Sequence, residues 1–429
     1  MDFRVLKVTR FFRDDQGNDP PIKPRACCWR LALSTLGFGL ACLAAGCGKV
    51  SDPVECWEGA ATGSWTKLAY PPEHLGGDPG VSDGATFSLI LRHPVCASCT
   101  LGELDTENLS WTTYETSGLD LEFNAGKLQL AEDYLGATDF SGSAYGLPTS
   151  LRTFATLDRE TREWSTSEPP EEYKVRWEYD LRWTGSVFLI WGGYVATGGE
   201  IAFYEDTALQ SFSDGVTYDP STGVWNLVPP AWPIGDHVYG EHPPQGQMSS
   251  VWTPEGLFVW GSNPDETDAA LAIYDLNKGE WSYPLPETSP ALRRYHELSY
   301  HDGFVYLVGG FHIDSNPSDP NGPRELWRFS LENLEWEELK VPKFADLEVA
   351  KGSWLGDRLL LLGHRCASGS AFDAKDGTWE PISGENRPPL SANVVASVGE
   401  LAAAGESLVV NAVSSDGFFE NSSVWIFEF

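Results

Sequence analysis

Methionine is nearly absent from this chain of 429 residues, with 2 in all, and basic residues are scarce, 29 Lys and Arg against 62 Asp and Glu. The shortage of positive charge excludes a class of partner. Nucleic-acid binding draws on counterion release by clustered Lys and Arg, and a surface this negative repels phosphates. DNA, RNA and anionic membrane faces are therefore not expected as ligands. Residues 1–46 hold 7 basic and 4 acidic residues, so 22 basic and 58 acidic remain beyond them, a net −36. Such acidity reads first as solubility and mutual repulsion. Long apolar runs are also lacking. Only residues 31–46, LALSTLGFGLACLAAG, are apolar without a charge, and the run is short of the roughly 20 residues a membrane-spanning helix needs.

What the chain has instead is 18 Trp, 43 Gly and 29 Pro, the composition of a turn-rich, all-β protein packed on aromatics. A repeat organises them. Seven segments carry a short β-like run, a polar turn, then a Trp opening another extended run: GSWTKL at Trp65, LSWTTY at Trp111, REWSTS at Trp164, GVWNLV at Trp225, GEWSYP at Trp281, LEWEEL at Trp336 and GTWEPI at Trp379. Successive tryptophans lie 46, 53, 61, 56, 55 and 43 residues apart, too long for ankyrin or tetratricopeptide units. Ahead of Trp225 stand SVFLIWGG and GVTYDPSTGVW; ahead of Trp281, GLFVWG and LAIYDLNKGEW; ahead of Trp336, GFVYLVGG and LWRFSLENLEW.

These segments resemble kelch repeats: an apolar strand ending in Gly-Gly, a strand carrying Tyr or Phe, a polar turn, and a Trp six or seven residues past the aromatic. Only Gly192-Gly193 and Gly309-Gly310 are full pairs, and the repeats of the middle of the chain match best. The chain stops at SSVWIFEF, which reads as the third strand of a blade, and the Trp65 segment is free to supply the fourth. The expectation is a seven-bladed kelch-type β-propeller over residues 60–429, closed by strands from both ends, which removes exposed sheet edges. Six blades is the alternative, because the segment between Trp65 and Trp111 shows no clear innermost strand.

The apolar run follows Lys23, Arg25 and Arg30 and ends in small residues, the profile of an export signal. Its end, Leu43-Ala44-Ala45-Gly46-Cys47, resembles the lipobox of bacterial lipoproteins, although Leu stands one position further from the cysteine than in the commonest pattern. The resemblance implies a leader over 1–46, a lipid on Cys47, a tether over 47–59, and a place in the bacterial cell envelope, with Gly48 favouring the outer membrane. The membrane is then met only through the lipid. Cys56, Cys96, Cys99 and Cys366 remain, and in an oxidising compartment four cysteines suggest disulfides. Three pairings are possible; Cys96 with Cys99 and Cys56 with Cys366 is preferred.

In a four-stranded blade the connection between the second and third strands and the connection to the next blade emerge on one face. The longest loops, 194–214, 229–248, 284–294 and 311–324, belong to these two classes. Long loops on a rigid scaffold are where binding resides. Candidate ligand-binding residues there are Tyr194, Trp232, His237, Tyr239, His242, Arg293, Arg294, His312 and Arg365. No set of them reads as a metal site. His237 and His242 with Glu241 lack a third strong ligand. Asp314, Asn316, Asp319 and Asn321 hint at calcium but miss the EF-hand spacing and suit turns equally well. No catalytic residue and no cofactor is assigned. The expected function is a binding or interaction module of the envelope, meeting a protein or glycan. A carbohydrate-active enzyme with an epimerase-like site of Arg, His and Glu, as in some kelch proteins, and a structural spacer without ligand are the alternatives.

Overall fold

The computed structural model describes residues 61–68, 77–82, 86–91, 100–118, 125–139, 153–174, 176, 179–196, 209–231, 238–239, 248–262, 268–294, 296–312, 325–345, 347, 351–363, 369–383, 398–412 and 423–429. The expected leader, Cys47, the tether and the four other candidate disulfide cysteines lie outside them. Among the described residues every regular element is a strand, and seven antiparallel sheets of four strands form the blades of a β-propeller. Blade 1 covers 77–115, blade 2 125–167, blade 3 180–228, blade 4 249–282, blade 5 297–339 and blade 6 351–382. Blade 7 takes three strands from 398–428 and its outermost strand, Ser64–Leu68, from the other end of the chain. Trp65 pairs with Phe427 and Ser64 with Glu428 in that closing ladder.

The innermost strands touch one another in sequence all the way round, and Val398–Ala404 of blade 7 returns to Gly77–Ser82 of blade 1. Seven is thus the number of blades. Blade 1 does possess an innermost strand, GDPGVS, that looked absent from the sequence. Its register shifts between Gly77 and Gly80, which is how a Gly- and Pro-containing segment joins a sheet. Polar contacts stitch the inner strands together. Ser249 Oγ donates to His296 O at 3.1 Å, Gly352 N–H donates to Glu297 Oε2 at 3.0 Å, and Ser82 Oγ donates to Ala403 O.

Each of the seven repeated tryptophans stands on the outermost strand of its blade. Each is paired across the ladder with the residue seven positions before it, or in blade 7 with Phe427 near the other end of the chain. In blades 3 to 7 that partner is Tyr218, Tyr274, Phe329, Phe372 or Phe427, with ring centroids 4.7–5.2 Å apart. In blades 1 and 2 it is Leu104 or Leu157, which is why those repeats look weaker. The indole N–H groups of Trp65, Trp164, Trp225, Trp281 and Trp379 reach back to Ser383 O, Thr116 Oγ1, Ser167 Oγ, Pro229 O and Lys340 O at 2.7–3.0 Å. Every one of these acceptors lies at the end of the preceding blade's outermost strand. Tryptophan therefore does two jobs, filling the wedge between blades and hydrogen-bonding across it.

The turn before each Trp is equally regular. Two residues ahead of it, Gly63, Leu109, Arg162, Gly223, Gly279, Leu334 and Gly377 all have positive φ, between 51° and 78°. At the start of five of these turns Asp105, Asp158, Asp219, Asp275 and Asp373 accept backbone N–H bonds through Oδ1 from the residue two further on, at 2.9–3.0 Å. Hydrogen bonding depresses the carboxyl pKa of the first four, each led by a bond from the turn itself.

Candidate functional site

Antiparallel strands put the turns between strands one and two and between three and four on one face, and all longer connections on the other. The loop face is built up further. Tyr194–Ala196 and Leu209–Ser211, from the connection inside blade 3, form a three-stranded sheet with Val238–Tyr239 from the connection to blade 4. Over blade 5 the strand Arg293–Arg294 pairs with Phe311–His312, so that Arg293 stands opposite His312 and Arg294 opposite Phe311. In both places a loop within a blade is bonded to a loop between blades. Tyr194 and Tyr239 thus share one small sheet, and Arg293, Arg294 and His312 share the other. Trp232, His237, His242, Arg365 and the Asp314–Asn321 cluster lie outside the described residues.

Buried arginines hold these loops at their roots. Arg293 is wholly enclosed, with 0% of its side chain exposed. Its Nε donates to Ala291 O at 3.0 Å, Nη1 to Gly309 O at 3.2 Å and Nη2 to Glu325 Oε2 at 2.7 Å. Gly309 and Gly310 both have positive φ, 60° and 87°, a backbone path that leads the chain out of the strand and that a side chain would resist. Burial pushes the Arg293 guanidinium below its ordinary pKa, against the attraction of Glu325. Burial alone would raise the Glu325 carboxyl; Arg293, the Trp327 indole and His312 outweigh it and hold the pKa below the usual range. The Trp327 Nε1–H donates to Glu325 Oε2 at 2.9 Å, and His312 Nε2 stands 4.0 Å from Oε1.

Blade 3 repeats the device. Arg176, 1% exposed, pairs with the Asp214 carboxylate and donates through Nη1 to Gly192 O at 3.3 Å. Its guanidinium is sandwiched between the Tyr173 and Phe212 rings, 4.4 and 4.1 Å from their centroids. In both blades the arginine precedes the first glycine of the pair by 16 residues. Sequence reading missed Arg176, although that common offset was the signal that marks it. The same comparison shows what Arg293 does: wholly enclosed and bonded to Ala291, Gly309 and Glu325, it fixes the loop. On the described part of this face His312 and Glu325 are partly exposed, at 36% and 27%.

Beside Arg293, His296 is buried against Trp260, ring centroids 4.7 Å apart and perpendicular. Its Nδ1 bonds Arg293 O at 3.2 Å. Burial, reinforced by the Arg293 charge, pushes its pKa down to about 3, so the ring stays neutral. On the hairpin face a cleft of about 270 Å³ opens between blades 1 and 2. Its arginines are engaged by neighbours: Arg159 meets Glu103 at 3.5 Å, and the Arg162 guanidinium lies 3.7 Å from the centre of the Tyr114 ring. Among the described residues no three His, Cys, Asp or Glu side chains gather as a metal site. Neither the models of known protein families nor the curated proteins include a match to this sequence.

Proposed function

We propose that this chain is an envelope lipoprotein, anchored through Cys47, whose kelch-type propeller is an interaction module that meets an envelope protein through its loop face. One observation carries the reading. Short hairpins would close the ring equally well, yet blades 3 and 5 carry extra sheets on one face, each rooted on a buried arginine and a diglycine. Fixing loops in this way cuts the ordering cost of binding. The anchor rests on the leader and its lipobox-like end. A second reading, a glycan-acting enzyme, draws on the meeting of Arg293, His312 and Glu325. Arg293 is wholly enclosed and held by Ala291, Gly309 and Glu325, which favours the first.

Two experiments test this. Metabolic labelling with an alkyne fatty acid in a bacterial host should mark the chain and fail with Cys47→Ser, which should also leave the membrane fraction. A photo-crosslinking residue placed at Tyr194 or His312 should yield adducts with envelope proteins, whereas one at Lys375, exposed on the hairpin face, should not. Equal adducts from both faces, or none from the loop face, would overturn the binding assignment.

A further inference from the structure

The outermost strand of a propeller blade has one row of backbone N–H and C=O groups without a ladder partner, and proteins usually blunt such edges with charge or proline. Six blades follow that practice or expose only polar side chains there: SWTKL, SWTTYE, WSTS, EWS, EWEEL and WEPI. Blade 3 does not. Its outermost strand, Val224–Val228, is VWNLV, uncharged and free of proline. It ends its sheet, and Val224 and Leu227 are 49% and 53% exposed. No other outermost strand among the described residues exposes an apolar side chain.

The surroundings specify what would add to it. Trp225 donates to Ser167 Oγ at 2.8 Å, at the end of the outermost strand of blade 2, from which the chain continues as Glu168-Pro169-Pro170-Glu171-Glu172 with all three glutamates exposed. We infer that the outer edge of blade 3 accepts an extended strand from a partner protein, apolar at alternate positions and flanked by Lys or Arg. The backbone row supplies the hydrogen bonds, Leu227 the apolar contact on the sheet face it shares with Trp225, opposite to the face of Val224, and the three glutamates the charge match. A second copy of this chain fits poorly, since its net charge of −33 opposes self-association.

The test uses the chain from residue 48 and a synthetic peptide of alternating Val and Thr with Lys pairs at both ends, measured by calorimetry and by amide hydrogen exchange. The peptide should bind and slow exchange within 224–228. Leu227→Glu should weaken it about tenfold, the loss of roughly one half-buried leucine contact, even though the added carboxylate would strengthen a purely ionic attraction. Replacing Glu168, Glu171 and Glu172 with Gln should weaken it and flatten its salt dependence, and thermal melts would show that both variants fold. Binding that Leu227→Glu leaves unchanged or improves, equal binding by a proline-interrupted peptide of the same charge, or dimerisation of the chain alone through this edge would each overturn the inference. These results are independent of the loop-face crosslinks.

Discussion

Removing the Trp65 indole tests ring closure at the joint where the two ends of the chain meet. The side chain is 6% exposed and packs with Leu360, Leu362, Ile382 and Phe427, so it binds blade 7 to blade 6. Trp65→Ala deletes this contact and leaves Ser383 O without the 2.7 Å bond it accepts. Core Trp→Ala changes cost about 3–5 kcal/mol, of which about 1 kcal/mol belongs to the hydrogen bond. Trp65→Phe keeps the ring against Phe427 and loses the N–H, so its cost should be about 1–2 kcal/mol. Urea denaturation of the chain from residue 48, followed by far-ultraviolet circular dichroism, reads both values from the first unfolding transition. A cost for Trp65→Ala below about 1 kcal/mol, the level of an ordinary surface change, would mean that the N-terminal strand is not a structural member of the ring.

Further expectations concern the turns and the buried groups. Gly63→Ala should destabilise much more than Gly223→Ala. Both glycines have positive φ, but a Cβ at Gly63 would collide with the buried Phe427 ring and crowd Glu428 O, whereas one at Gly223 meets nothing within 4 Å and costs only the left-handed backbone, about 1 kcal/mol. Urea midpoints of the two variants decide it. Arg293→Leu should cost roughly 3–5 kcal/mol by stranding Glu325 and two carbonyls, and Glu325→Leu added to it should recover part of that loss in a double-mutant cycle. His296 gives stability a pH dependence. Unfolded, it takes a proton near 6.5; folded, it stays neutral until about 3. The unfolded chain therefore binds more protons between those values, and stability falls as pH drops from about 6.5 toward 3. His296→Asn should flatten the decline between pH 7 and pH 5, above the range in which the turn aspartates titrate, and an unchanged slope would refute the assignment.

Much of the ring was legible because its joints use one rare residue at one strand position. Trp marks each outermost strand, and the terminal segments SSVWIFEF and GSWTKL announced the closure that the Trp65–Phe427 pairing realises. Blade 1 was obscured because its innermost strand is built from Gly77-Asp78-Pro79-Gly80 with a register shift, and local propensity argues against a strand where neighbouring strands impose one. The candidate site was less readable. Loop length located the elaborated face but did not distinguish an arginine facing solvent from one consumed by a diglycine carbonyl and a carboxylate. Arg293 and Arg294 are neighbours in sequence, and burial of Arg293 depends on Gly309 and Glu325, which lie far along the chain. Unprotected edges are a matter of contrast among blades, so Val224–Val228 stands out only once all seven outermost strands are known.

Closure of the ring by the terminal strands is tested most directly by a register-specific crosslink. Ser64 and Glu428 are opposed in the closing ladder and both are exposed, and opposed residues of an antiparallel pair have Cα atoms about 4.5–5.5 Å apart, within reach of a disulfide. Ser64→Cys with Glu428→Cys should oxidise readily to an intramolecular bond, identified by mass spectrometry of the linked peptides. Ser64→Cys with Val424→Cys, four positions out of register and about 13 Å further along the strand, should not. Linkage of the first pair alone is the predicted result; failure of that pair, or equal linkage of both, would contradict a seven-bladed ring sealed by its two ends.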